Sequence, residues 1–264
     1  MYNFNYHRPS SVADAVALLA AHEDAKLLAG GQTYLPTLKQ RLAQPTDLID
    51  LGRIAELKGI KEEAGGVTIG AMTRHGDVAS SPVVLRVLPA LAALAELIGD
   101  PQVRNRGTIG GSISNNDPAA DYPGALLGLG ATVRTNRREI AADDFFTGMF
   151  ETALARDEIV TAVHCPKPER AAYEKFPNPA SRYSMVGVFV ARTGGGVRVA
   201  VTGAGPCAFR WVDAENALAQ SFAPAAIDPL QVDPGGLNAD IHASAEYRAH
   251  LMKVMAKRAV AAAG

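Results

Sequence analysis

The sequence predicts an α+β fold: two small α/β pieces followed by an α+β piece of about a hundred residues. Helix-type and strand-type patterns alternate over the first 165 residues. Pro166-Lys167-Pro168 then breaks the composition, and beyond it a β-rich stretch precedes two helical patterns. No internal repeat or long low-complexity tract interrupts this order.

Ser10 or Ser11 supplies an N-cap for a helix over residues 12–22, where Val12, Ala15, Val16, Leu18 and Leu19 make an apolar stripe. Lys26-Leu27-Leu28-Ala29 suits a short buried strand and runs straight into Gly30-Gly31. Residues 34–41 fit a helical segment whose first turn admits Pro36, and residues 47–51 follow as a second strand. Residues 60–70 carry Gly65-Gly66 at their centre, a hairpin-like turn between two strands. A short capped helix over 73–79 and one longer helix over 83–98 come next. Short strands at 132–135 and 138–140, a turn or helix from 142 and an apolar strand over 158–163 close this part. After the proline break, Gly194-Gly195-Gly196 joins strands at 184–191 and 196–202. Helices over 213–220 and 243–262 end the chain.

Composition removes several function classes. With 26 basic and 27 acidic residues the net charge is −1, so no overall field attracts nucleic acid or an acidic membrane. The apolar stretch over 83–98 is interrupted by Arg86, Pro89 and Glu96 and is shorter than a membrane span, so no integral membrane segment is expected. Residues 1–9 lack the basic and apolar regions of a secretory signal, which points to a cytoplasmic protein. Cys165 and Cys207 lie far apart, without a C-x-x-C or a local His/Cys cluster. An iron–sulfur cluster or structural zinc needs several thiolates or imidazoles, so the expected metal complement is none, and the two thiols are read as reduced.

Two glycine-rich runs carry the functional signal. The first is Ala29-Gly30-Gly31-Gln32-Thr33-Tyr34-Leu35-Pro36, and the second runs from Gly107-Thr108-Ile109-Gly110-Gly111-Ser112 to Pro123. Adjacent glycines leave backbone N–H groups unshielded and tolerate positive φ, so such loops can close around phosphate oxygens. Taken alone, each pair reads equally as a tight turn. The second, however, is followed by Asn115, Asn116, Asp117 and Asp121 among prolines, a density of fixed polar groups suited to binding hydroxyls. Neither run has the G-x-G-x-x-G spacing of a dinucleotide fold or the Gly-Lys-Ser/Thr ending of a P-loop.

These two runs resemble the signature loops of the FAD-binding medium subunit of molybdenum hydroxylases. That family includes carbon monoxide dehydrogenase flavoproteins and the flavin domain of xanthine dehydrogenase. The likeness extends to Phe4-Asn5-Tyr6-His7-Arg8-Pro9 and to the segment from Tyr173 through Lys175 to Tyr183, and so spans nearly the whole chain. The separate-subunit type, similar to the carbon monoxide dehydrogenase medium chain, fits best. The resemblance implies a two-subdomain FAD-binding fold of the PCMH type over 1–55 and 56–165, followed by a C-terminal α+β domain over 166–264.

It also implies roles for single residues. The first loop, from Lys26, Leu27, Leu28 and Ala29 through Gly30, Gly31 and Gln32 to Thr33 and Tyr34, would hold the FAD pyrophosphate through backbone amides. Gly107, Thr108, Gly110, Gly111 and Ser112 would meet the same FAD from the other side, with Ser114 and Asn115 nearby. Asp121 would accept from ribitol or adenosine hydroxyls, Lys175 would approach the pyrimidine end of the flavin, and Tyr183 would cover the ring. On their own, Lys175 reads equally as a solvated surface lysine and Tyr183 as a core strand aromatic. Gln32 stands where many family members have histidine. No catalytic acid, base or nucleophile is displayed.

Such a chain would be the electron-exit subunit, taking electrons from [2Fe–2S] clusters in a small partner and passing them to an external acceptor. A large molybdopterin-binding subunit would complete a dimer of heterotrimers. Two alternatives accompany this reading. One is a self-contained FAD-dependent reductase of the UDP-N-acetylenolpyruvoylglucosamine reductase type. The other is a non-catalytic assembly subunit with a decayed flavin site, for which Gln32 is the one hint.

Overall fold

The computed structural model describes residues 1–63 and 65–264. A parallel sheet opens the chain, made of β1 (Asn5–His7), β2 (Lys26–Leu28) and β3 (Asp47–Asp50) in the order β1-β3-β2. Parallel neighbours need crossovers, and α1 (Val12–Ala21) and α2 (Tyr34–Lys39) supply them. Ser11 is the N-cap of α1; its hydroxyl accepts from Asp14 N–H at 3.1 Å. Ala15 and Leu19, one turn apart, bury the helix against Ile49, Leu51 and Ile54.

An antiparallel sheet follows, in the order β4-β5-β10-β6-β7. Its strands are β4 (Ile60–Glu63), β5 (Gly66–Gly70), β6 (Thr132–Thr135), β7 (Glu139–Ala141) and, after the ribbon of β8 (Phe146–Gly148) and β9 (Glu151–Thr152), β10 (Val160–Pro166). The turn expected at Gly65-Gly66 adjoins Ala64, which lies outside the described residues; the flanking strands pair with Glu63 opposite Gly66. Between β5 and β6 come α3 (His75–Ser80), α4 (Pro82–Val87), α5 (Pro89–Glu96), α6 (Pro101–Arg104), α7 (Ile109–Asn115) and α8 (Asp121–Leu129). A four-residue turn, α9 (Ala142–Phe145), follows β7.

The single helix expected over 83–98 is two helices. Pro89 has no N–H to donate and disfavours helical backbone at the residue before it, so Leu88 takes φ −137° and the chain turns between α4 and α5. The second glycine run, read as a loop, is the N-terminal turn and body of α7. Asn116 ends that helix in the left-handed region at φ 43° and donates its side-chain amide to Gly148 and Glu151 carbonyls.

A third sheet, antiparallel in the order β11-β12-β13-β14, comprises β11 (Arg170–Pro177), β12 (Ser184–Thr193), β13 (Gly196–Thr202) and β14 (Phe209–Arg210). Helix α10 (Val212–Gln220) packs on β13, and the long α11 (Ala245–Ala263) lies across β11 and β12. The nine residues of α8 are all buried, packed between β12 and β13 on one side and α5, α7 and β10 on the other. A helix enclosed all round carries no amphipathic stripe. Cys165 and Cys207 are free thiols. Among the described residues no helix is long and apolar enough to cross a membrane.

Candidate functional site

The strand β2 ends at Leu28 and the chain turns at once into residues 29–33, with Gly31 at φ +76°. Leu35 N–H returns to Gly31 C=O at 3.0 Å and starts α2. The backbone N–H groups of Gly30, Gly31, Gln32, Thr33 and Tyr34 have no acceptor among the described residues. Five successive unpaired donors at the end of a strand form a surface suited to phosphate oxygens.

The second glycine run behaves differently. Ile109 N–H donates to Thr73 C=O, Gly110 N–H to Ala71 C=O at 2.8 Å, and Gly111 N–H to the Thr108 hydroxyl at 3.1 Å. Its first-turn amides are therefore spent on the fold. The glycines serve close approach: a Cβ at Gly110 would lie 2.6 Å from Ala71 Cβ, and one at Gly111 would lie 3.1 Å from Ala29 Cβ. Gly30 meets the same wall, since a Cβ there would collide with the Arg106 carbonyl and sit 2.7 Å from Gly107 Cα. The two runs are thus in contact, and without side chains their backbones form one continuous floor.

That floor belongs to a cleft of about 580 Å3, within the range of small-molecule and cofactor sites. Lys26, Leu27, Leu28, Ala29, Gly30, Gly31, Gln32, Thr33 and Tyr34 line one side. Gly107, Thr108, Gly110, Gly111, Ser112, Ser114 and Asn115 line the other, joined by Asp121 and Tyr183. Asp117 lines the cleft too, whereas Asn116, also singled out from the sequence, is buried with its amide spent on Gly148 and Glu151. The other residue missing from the lining is Lys175. Its ammonium lies behind Asp121, bonded to the two carboxylate oxygens at 3.0 and 3.2 Å and to the Leu97 and Arg182 carbonyls at 2.8 and 2.9 Å. The side chain is 3% exposed, which rules out a solvated surface lysine. A buried ammonium must satisfy its donors locally, and these partners occupy them.

Asp121 is equally committed. Besides Lys175 it accepts from the Tyr173 hydroxyl at 2.5 Å and the Ser184 hydroxyl at 2.8 Å. Burial, with Asp121 beside it, raises the Tyr173 hydroxyl well above the usual phenol range. Around this knot, Arg104 binds the Ile98 and Gly99 carbonyls, and Arg182, left-handed at φ 62°, also binds Gly99. Three cations thus hold the carbonyls that follow α5 and fix the rim of the cleft. Asn178 closes the loop that presents Tyr183, accepting from Ala180 and Ser181 N–H while its own N–H donates to Tyr183 C=O. Tyr183 is 42% exposed at the mouth, not a core aromatic.

Sequence reasoning passed over several lining residues: His75, Met72, Val103 and Phe150. His75 is buried against Tyr122, with ring centroids 5.3 Å apart; burial, then the Arg104 charge, pushes it down to about 4, so the imidazole is neutral. A lone histidine on a six-residue helix gave no signal. Burial raises the Asp117 carboxyl as well.

A family model described as the FAD binding domain in molybdopterin dehydrogenase matches residues 2–168. The carbon monoxide dehydrogenase medium chain of Hydrogenophaga pseudoflava is 39% identical, covering 98% of this chain and 96% of its own length. The nicotine 6-hydroxylase medium subunit of Paenarthrobacter nicotinovorans is 38% identical at the same coverage. Among solved structures, carbon monoxide dehydrogenase from Hydrogenophaga pseudoflava superposes with a TM-score of 0.91 at 40% identity, covering 99% of this chain and 97% of that one. Quinoline 2-oxidoreductase from Pseudomonas putida 86 does so at 0.90 with 30% identity and the same coverage.

Proposed function

Because the chain belongs to the family of FAD-binding domains of molybdopterin dehydrogenases, we propose that it is the electron-exit subunit of a molybdenum hydroxylase, carrying electrons from a partner's [2Fe–2S] clusters to an external acceptor. The observation that carries this reading is the row of five unpaired amides at residues 30–34 on the floor of a cleft of cofactor size. Those donors, with the Thr33 hydroxyl, would hold the FAD diphosphate. FAD, when bound, accepts and releases electrons one or two at a time.

The rest of the assignment follows from what each residue still has free. Gly107, Gly110 and Gly111 would shape the opposite wall and let the backbone approach the cofactor, while Ser112, Ser114 and Asn115, which line the same wall, would add polar contacts. Asp121 would touch the cofactor with whatever acceptor capacity Lys175, Tyr173 and Ser184 leave it. Lys175 is a positioning residue, anchoring Asp121 and the Arg182 carbonyl. Tyr183 would shelter the ring at the mouth and limit what reaches it. Residues 1–55 and 56–165 would act as the two cofactor-binding subdomains and 166–264 as the unit that closes over them.

The complete enzyme would include a large molybdopterin-binding subunit and a small [2Fe–2S] subunit, in a dimer of heterotrimers. Affinity purification through this chain from its native host tests the proposal. Recovery of about one FAD per chain, together with an iron-containing small chain and a pterin-containing large chain, is the expected result. A flavin-loaded chain that recovers neither partner and oxidises NADPH against a second small molecule by itself would overturn it.

A further inference from the structure

Three side chains that no sequence spacing connects meet at the first sheet. His7 is the last residue of β1, His22 is the C-cap of α1, and Asp47 begins β3. His7 Nε2 lies 2.7 Å from Asp47 Oδ1, His22 Nδ1 lies 3.4 Å from Asp47 Oδ2, and the two rings stand 5.4 Å apart. One ligand atom from each of the three lies within 4.8 Å of the others. Local His/Cys spacing is absent from the sequence, yet the fold assembles a cluster from three separate elements.

We infer that His7, His22 and Asp47 form a binding site for a divalent transition-metal ion, with zinc as its representative. A four-coordinate zinc with bonds of about 2.0–2.1 Å keeps its ligand atoms roughly 3.4 Å apart. The His7–Asp47 separation of 2.7 Å must open and the wider ones, up to 4.8 Å, must close, shifts of about an ångström that rotation of the two partly exposed imidazoles supplies. Two imidazole nitrogens and one carboxylate suit zinc, cobalt or nickel, whereas calcium and magnesium seek all-oxygen shells.

Exposure has the pattern such a site requires. The Asp47 side chain is 3% exposed, a fixed buried anion, while His7 and His22 are 27% and 37% exposed and can admit an ion from solvent together with a water as fourth ligand. The Asp47 carboxylate offsets one of the ion's two positive charges. The proton between His7 Nε2 and Asp47 gives way to the ion: a neutral ring carries it on Nδ1 instead, and an imidazolium releases one proton to solvent. Occupancy would tie β1, the end of α1 and β3 together at one point and so brace the strand pair on which β2 is hung.

The test uses the FAD-loaded protein with any affinity tag removed, stripped with chelator and dialysed. Calorimetric titration with zinc should give one ion per chain, and His22→Ala should lower the affinity by about tenfold or more with FAD content and circular dichroism unchanged. Cobalt in place of zinc should give a visible d–d band that zinc abolishes and that His7→Gln weakens; excess magnesium should leave that band unchanged. Absence of zinc binding, or binding by His7→Gln and His22→Ala with the affinity of the wild type, overturns the inference. FAD content is read separately, so failure here leaves the cofactor assignment intact.

Discussion

Replacing Lys175 by methionine separates a lysine that contacts the cofactor from one that holds the rim. The ammonium and the Asp121 carboxylate are 3% and 5% exposed, so the pair is a buried one. In Lys175→Met the carboxylate keeps only the Tyr173 and Ser184 hydroxyls, and the Leu97 and Arg182 carbonyls lose a donor. Stranding a buried charge costs about 3–5 kcal/mol, roughly a hundred- to several-thousand-fold in the folding constant. Adding Asp121→Asn removes the stranded charge, so the double variant should be less destabilised than the sum of the two singles by about 1–3 kcal/mol. Urea unfolding followed through Trp211, the single tryptophan and a buried member of the third-sheet core, reads the stability. A loss below about 1 kcal/mol, the value of an exposed pair, would refute the buried clamp.

Two further outcomes follow from the same geometry. Gly30→Ala places a methyl 2.7 Å from Gly107 Cα, so the two glycine runs must part; overpacking of this kind costs about 1–3 kcal/mol, and FAD retained after gel filtration should fall while Gly111→Ala, with contacts at 3.0 and 3.1 Å, keeps most of it. Equal retention would dissociate the contact from cofactor binding. Glu158, 1% exposed at its side chain and doubly bonded by Arg138, is held down to about 2, chiefly by the Arg138 hydrogen bonds. An unfolded glutamate titrates near about 4.3, so this stabilisation is full above that value and is lost as pH falls towards about 2. The melting-temperature gap between the wild type and Glu158→Gln should therefore close over that window; a gap constant from neutral pH to about 2 contradicts the assignment.

Legibility in the sequence tracked the range of the interaction. The cap of α1, narrowed to Ser10 or Ser11, and the paired strands of Ser184–Thr193 and Gly196–Thr202 depend on neighbours a few residues away, and pattern alone pointed to them. The glycine runs were visible for the same reason, and resemblance then joined them into one cleft. Three features resisted. The helix Asp121–Leu129 is buried on every side and shows no stripe. The Lys175–Asp121 pair bridges 54 residues, so a lysine that looked free for a ligand is consumed by the fold. The amides of Ile109 and Gly110 looked as available as those of 30–34, and only the position of Ala71 and Thr73 shows which set is taken.

The strand order β1-β3-β2 sets a schedule for the chain's own birth. The central strand of that sheet is the last of the three to be synthesised, and neither outer strand has a hydrogen-bonding neighbour until Asp47–Asp50 slots between them. A nascent chain that has emerged only as far as Tyr34 carries the complete first glycine run but no frame on which to set it. A fragment ending before Asp47 should therefore emerge with its first glycine run intact and, if residues 30–34 hold the flavin as proposed, without flavin affinity.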